Sequence, residues 1–132
     1  MAETIILSGK TVSQDVYNSL KSRIDKLKSS GCIPGLAAVL VGDNPASHVY
    51  IKSKTNQFAK LDLYSESFKM PDDTSERDVL SLINDLNNDE RFHGILVQMP
   101  LPEQLNETAI IEAVNPLKDV DGFHPENLGR LT

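Results

Sequence analysis

Ser47, Tyr50 and Lys54 fall at i, i+3 and i+7 within Ser47-His48-Val49-Tyr50-Ile51-Lys52-Ser53-Lys54. On a helix of about 3.6 residues per turn, that spacing gathers a hydroxyl, an aromatic ring with a polar tip and an ammonium on one stripe. A lysine can move protons when partial burial favours its neutral amine. A tyrosine offers a flat face for stacking and a phenol that can join a relay. Ile51, Thr55 and Phe58 form a mainly apolar stripe about a quarter turn away. The helix can therefore pack on a core while turning the reactive edge toward a cleft.

Other candidate groups lie far off in the chain. Gln98 ends the apolar run Gly94-Ile95-Leu96-Val97 and is followed by Met99-Pro100-Leu101-Pro102. A buried amide at that point needs partners. Asp119 and Asp121 stand in Lys118-Asp119-Val120-Asp121-Gly122, where Asp-Gly is also an ordinary turn dipeptide. Asp-x-Asp-Gly resembles the start of a calcium loop, but the later oxygen ligands are missing. His48, His93 and His124 have no metal spacing, and Cys32 is a lone cysteine without a basic neighbour. No metal site is expected.

The elements that must position these groups alternate. Ile5-Ile6-Leu7 reads as a short edge strand. Val12, Val16, Leu20, Ile24 and Leu27 mark an amphipathic helix from about Thr11 to Ser30, with Gly31 as its stop. Gly35 to Val41 is a continuous apolar run of the kind buried on both faces of a parallel sheet. A helix over about Pro45–Lys60 carries the reactive stripe, with Pro in its first turn. Tyr64 to Met70 is β-like. Val79, Leu80, Leu82, Ile83 and Leu86 predict a helix capped by Ser75 or Thr74. Gly94–Gln98 is a second apolar strand, Thr108–Val114 a short helix, and Leu117–Pro125 an ordered loop. This order implies right-handed crossovers and a three-layer α/β/α domain with a mostly parallel sheet. Ligands of such sheets bind beyond the carboxyl ends of the strands, which brings the Lys54 helix and Gln98 to one rim.

The 132 residues are expected to form one domain with a core of its own. No apolar run approaches about 18 residues, and the first residues lack the pattern of a signal peptide. With a single cysteine, these features point to the cytoplasm and away from a membrane. A formal net charge of −6 argues against a nucleic-acid partner, which calls for a basic patch. Aromatics make up only 5% of the chain, so Tyr50 is one of few surfaces on which a flat ligand could stack. No Gly-x-Gly-x-x-Gly turn or P-loop is present.

Four ordered blocks are similar to the amino-terminal catalytic domain of the methylenetetrahydrofolate dehydrogenase/methenyltetrahydrofolate cyclohydrolase family. They are Pro34-Gly35-Leu36-Ala37-Ala38-Val39-Leu40-Val41-Gly42-Asp43-Asn44-Pro45-Ala46-Ser47 with Tyr50-x-x-x-Lys54; Gly94-Ile95-Leu96-Val97-Gln98-Met99-Pro100-Leu101-Pro102; Pro116-x-Lys118-Asp119-Val120-Asp121-Gly122-Phe123; and Asn127-x-Gly129-Arg130-Leu131. Tyr50-x-x-x-Lys54 also resembles the catalytic pair of short-chain dehydrogenases, but those enzymes open with the glycine-rich loop this chain lacks.

The family resemblance implies that Lys54 is the catalytic lysine, that Tyr50 stacks on the folate ring system, and that Gln98 tunes the lysine. It makes Asp121 the pterin anchor, Ser47 a polar neighbour of the lysine and Pro100 part of the folate-pocket wall. It implies interconversion of 5,10-methylene-, 5,10-methenyl- and 10-formyltetrahydrofolate with NADP or NAD, usually in a homodimer. Met99 replaces a usual leucine, a nearly volume-conserving change. The family's second, dinucleotide-binding domain, with its Pro-Gly-Gly-Val-Gly-Pro block, is not in this sequence, so the chain is read as the catalytic domain alone, ending near the inter-domain connection. The dehydrogenase step is then not expected from it, and its cyclohydrolase activity should be weak. A non-catalytic folate-binding or interaction module is the alternative.

Overall fold

The computed structural model describes residues 3–132. Contacts divide them into two compact units, one running to Ile33 and the other Pro34–Thr132. The first unit is built on helix α1 (Gly9–Ser29). It ends as its sequence predicts: Gly31 takes a left-handed φ of 85°, its N–H donates to the Lys28 carbonyl, and Cys32 N–H donates to Leu27. This pair of bonds is a Schellman motif, which satisfies carbonyls the helix end would otherwise leave open. The apolar residues Val12, Val16, Leu20 and Leu27 are exposed. Ile5-Ile6-Leu7 is not a strand. These residues are highly exposed and pair with no other segment among the described residues; a strand requires a hydrogen-bonded neighbour, which local β propensity cannot supply.

The second unit is a three-stranded parallel sheet in the order β2-β1-β3, with β1 (Gly35–Val41), β2 (Tyr64–Met70) and β3 (Gly94–Val97). Strand β1 is buried along its whole length, as its unbroken apolar run predicts. Alternation sends Leu36, Ala38 and Leu40 to one face, where they pack with Leu96, Ile51 and Phe58. Ala37, Val39 and Val41 go to the other, with Val79, Ile83, Phe92, Ile95 and Ile110. Helix α2 (Pro45–Lys60) therefore covers one face, and α3 (Glu76–Asn87) with α4 (Glu107–Ala113) the other. The three-layer α/β arrangement matches the sequence expectation.

The caps set where helices begin. Asn44 Oδ1 accepts from Ala46 and Ser47 N–H with Pro45 in the first turn, Ser75 caps α3, and Asn106 caps α4. Asn87 clasps the ends of α3 and α4, donating to the Ala113 carbonyl and accepting from Asn115 N–H. A final helix, α5 (Pro125–Arg130), lies beyond the expected loop. Its cap is His124, whose Nδ1 accepts from Glu126 N–H; histidine is outside the usual capping set, and Pro125 in the first turn is the one local sign of the helix start.

At Gly35 the backbone of β1 meets the Arg91 carbonyl so closely that an added Cβ would collide with it. Gly35 N–H also donates to His93 Nδ1, and the Gly35 carbonyl accepts from His93 N–H. Overpacking against rigid backbone costs roughly 1–3 kcal/mol or more. Gly35→Ala is expected to lower unfolding free energy by about that much in a urea titration; an unchanged midpoint would show that the Arg91 loop moves freely.

Candidate active site

The carboxyl ends of β1 and β3 form a rim on which the chemistry-bearing residues meet. Viewed down α2, ideal geometry puts Ser47, Ile51 and Phe58 within an arc of about 40°, with Tyr50 and Lys54 on one flank of it. Ser47 therefore does not share the open stripe. It is 1% exposed, and its Oγ points at the Met99 carbonyl at 3.5 Å, tying α2 to the segment after β3. Tyr50 is 58% exposed. Lys54, one turn further, is half-buried, and its ammonium has no hydrogen-bond or ion-pair partner among the described residues.

Gln98 continues the line of β3. Its N–H donates to the Val39 carbonyl at 2.9 Å, and alternation from Leu96 turns its side chain to the α2 side of the sheet. Nε2 donates to the Met99 carbonyl at 3.0 Å, the same oxygen that Ser47 approaches. Its Oε1 is buried and has no partner among the described residues. A buried carbonyl oxygen with no donor is costly in a folded protein, and this one is an acceptor held ready. The Met99–Pro100 peptide is cis. Pro100 is exposed and lines a concavity of about 140 Å³ with Gly42, Asn44 and Asp72.

Asp119 and Asp121 have different jobs. Asp119 bridges to Ile95 at the outer edge of β3, and its carboxylate accepts from Gly122 N–H at 3.1 Å, His124 N–H at 2.9 Å and Asn127 Nδ2 at 3.0 Å. Burial alone would raise its pKa, but these hydrogen bonds outweigh it and hold the carboxyl below its ordinary range. Sequence spacing offered Asp119 only as a turn residue; its partnership with Asn127, eight residues on, has no local signal. With the loop fixed, Asp121 overhangs a small cavity lined by Val97, Met99, Val114 and Phe123. Asp121 keeps open surface, yet surrounding atoms crowd its carboxyl enough to raise its pKa, against the attraction of the Lys54 charge. Lys54 and Asp121 are thus in electrostatic reach of each other without forming a contact ion pair.

The structure brings Tyr50, Lys54, Gln98 and Asp121 to one rim, sets Ser47 beneath it and places Pro100 at its margin. Among the described residues, no group of three or more His, Cys, Asp or Glu is arranged to hold a metal ion, and no helix is long and apolar enough to cross a membrane.

Fold and rim together define a parallel α/β domain that carries an amine, a carboxamide, a carboxyl and an aromatic side chain at the carboxyl end of its sheet. The family described as tetrahydrofolate dehydrogenase/cyclohydrolase, catalytic domain, matches residues 7–121, and the chain belongs to that family. Among its relatives, the bifunctional protein FolD of Nautilia profundicola is 48% identical over 126 residues, covering 96% of this chain and 44% of the relative. The crystal structure of the bifunctional FolD methylenetetrahydrofolate dehydrogenase/cyclohydrolase from Campylobacter jejuni superimposes with a TM-score of 0.89 at 43% identity, over 93% of this chain and 44% of that one. The Trypanosoma brucei dehydrogenase-cyclohydrolase, solved with NADP and an inhibitor, gives 0.90 at 27% identity, over 99% of this chain and 45% of that one. The chain spans a little under half the length of these relatives.

Asp119→Ala is expected to cost roughly 1–2 kcal/mol at neutral pH, since three donors lose their acceptor at a partly exposed site. A carboxyl depressed in the folded state contributes stability above its unfolded pKa and loses it as pH falls through the folded value. The gap between wild type and variant should therefore close in acid, below the ordinary carboxylate range. Thermal melts from pH 7 to pH 2 measure this; a pH-independent gap would contradict the role given to Asp119.

Proposed function

We propose that this chain is the folate-binding catalytic half of a bifunctional one-carbon enzyme. The longer protein would oxidise 5,10-methylenetetrahydrofolate with NADP or NAD and hydrolyse the methenyl product to 10-formyltetrahydrofolate, working as a cytoplasmic homodimer. The observation that carries this reading is a buried Gln98 Oε1 at the end of β3 and a Lys54 ammonium on α2, both without a hydrogen-bond partner among the described residues, together with an exposed Tyr50 on the same helix. Open valences of this kind at a sheet's ligand-binding rim are what a polar, flat ligand would fill.

The residue types suit the hydrolysis. Tyr50 gives the fused ring a face to stack on, and Asp121 can accept from the pterin's amino and ring N–H groups. Lys54 serves as the base that takes a proton from water while the water oxygen bonds to the cationic bridging carbon. The resulting ammonium returns that proton to the ring nitrogen as its bond to the bridging carbon breaks. The hydroxyl proton leaves to solvent, and a formyl group remains on the other nitrogen. Gln98 Oε1 can accept from the transient ammonium without placing a second charge beside a cationic substrate.

The hydride step needs a nicotinamide, which the residues present do not fit. No glycine-rich turn follows β1, and the turn's one glycine, Gly42, faces Asp72: an added Cβ would lie 2.7 Å from its carboxylate oxygen. A carboxylate there opposes a pyrophosphate. No dehydrogenase step is assigned to these residues, and the nucleotide site is placed by this reading in the rest of the longer protein.

Joined to the remainder of the Campylobacter relative, the chain carrying Lys54→Met should lose at least a hundredfold in cyclohydrolase turnover while still binding folate. Wild-type turnover would remove Lys54 from the mechanism, and an inactive but folate-binding wild-type chimera would favour the binding-module alternative. Asp121→Asn gives an independent check. A carboxyl raised in the folded state favours folding below its unfolded pKa and loses that advantage as pH rises through the folded value. The asparagine variant should therefore melt at or above the wild-type temperature at pH 7 while binding a folate analogue at least tenfold more weakly by calorimetry. Undiminished affinity would exclude Asp121 as the anchor.

A further inference from the structure

On the flank of α2 opposite Tyr50 and Lys54, the helix and the edge strand β2 enclose a cleft of about 260 Å³. It is lined by His48, Lys52 and Thr55 from α2, Ser67 and Lys69 from β2, and Ile51. His48, Lys52 and Thr55 are spaced i, i+4 and i+7, one stripe of the helix. The register pairs Ser67 with Ala38 and Lys69 with Leu40, so both side chains rise on the α2 side of the sheet.

We propose that this cleft is a binding site for a phosphate-class oxyanion, either the free ion or a small phosphate monoester. Neither Lys52 nor Lys69 has a hydrogen-bond or ion-pair partner among the described residues, and the carboxylate beside the lining, Asp43, is bonded to His48. Two ammoniums at one concavity with no acidic partner of their own attract an anion. That they stand open on a chain with a net charge of −6 sharpens the point, since acids to pair with them are plentiful elsewhere.

The remaining donors suit tetrahedral oxygens. The Ser67 hydroxyl makes no hydrogen bond within the protein among the described residues. His48 Nε2 is held by Asp43 Oδ1 at 2.7 Å, which fixes the ring at the cleft. Thr55 Oγ1 is already committed to the Ile51 and Lys52 carbonyls and serves as wall. A cleft of 260 Å³ lies below the usual range of drug-sized pockets, so it accommodates an anion and a short ester group rather than a nucleotide.

Titrating the nitrogen-15-labelled chain with inorganic phosphate, against sodium chloride at equal ionic strength, tests this by NMR. Saturable shifts at Lys52, Ser67 and Lys69, absent in chloride, are expected. Lys69→Gln should weaken binding at least tenfold, Ser67→Ala severalfold and Lys60→Gln, elsewhere on α2, not at all. Tighter binding of glycerol phosphate than of inorganic phosphate would identify the monoester as the preferred form, and equal binding the free ion. Both Lys52 and Lys69 are exposed, so the variants are expected to fold, which their amide spectra report directly. Non-saturable shifts, a response unchanged by Lys69→Gln, or succinate binding as tightly as phosphate would overturn the proposal.

Discussion

Strand β1 must be dry on both faces, and the geometry of the Pro34–Thr132 unit follows from that constraint. Its seven residues divide by alternation between two clusters, so each face needs its own cover. Helix α2 lies over one face with Ile51 as its buried contact, and α3 and α4 close the other. Once Ile51 is pressed onto the sheet, the helix's rotation is settled. Ser47 falls in the buried arc, Tyr50 and Lys54 turn toward the end of β3, and His48 and Lys52 turn toward β2. Two chemically different flanks are thus consequences of a single packing contact.

The second determinant is how polar groups are satisfied around the rim. Ser47 and Gln98 both address the Met99 carbonyl, which knits α2 to the segment after β3. Asp119 gathers two donors from its own loop and one from α5. Structural hydrogen bonding is therefore concentrated on residues adjacent to the proposed reacting groups, while Gln98 Oε1 and the Lys54 ammonium are left open. A site built this way is held largely by its neighbours, and of the reacting groups Gln98 commits its Nε2 donor to the fold while keeping Oε1 free among the described residues.

Much of this was legible in the sequence because it depends on local pattern. The apolar runs ending at Val41 and Val97, the Asn44-Pro45 helix start and the three-layer class all follow from periodicity and capping. Burial was less legible. Ser47 read as part of an open stripe because heptad spacing tolerates about 60° of spread, and only contact with the sheet fixed which side of the spread was inside. Pairing was not legible for Ile5-Ile6-Leu7, whose β propensity has no strand to meet. The α5 helix was missed because His124 acts as its cap. Asp119 and Asp121, two residues apart with opposite pKa displacements, show the same limit: the folded loop turns its donors onto the first carboxylate and crowds the second, and side-chain identity does not distinguish the two.

The Asp119 clamp also bears on the kinetics of ligand capture. A loop whose backbone N–H groups are already bonded to an internal carboxylate does not have to be ordered by an incoming molecule, so little conformational entropy is lost on encounter. For the proposed folate ligand, association at this rim would be a matter of diffusion and orientation, with no slow folding step coupled to it. Differences in affinity between similar ligands would then be written almost wholly in how long each one stays.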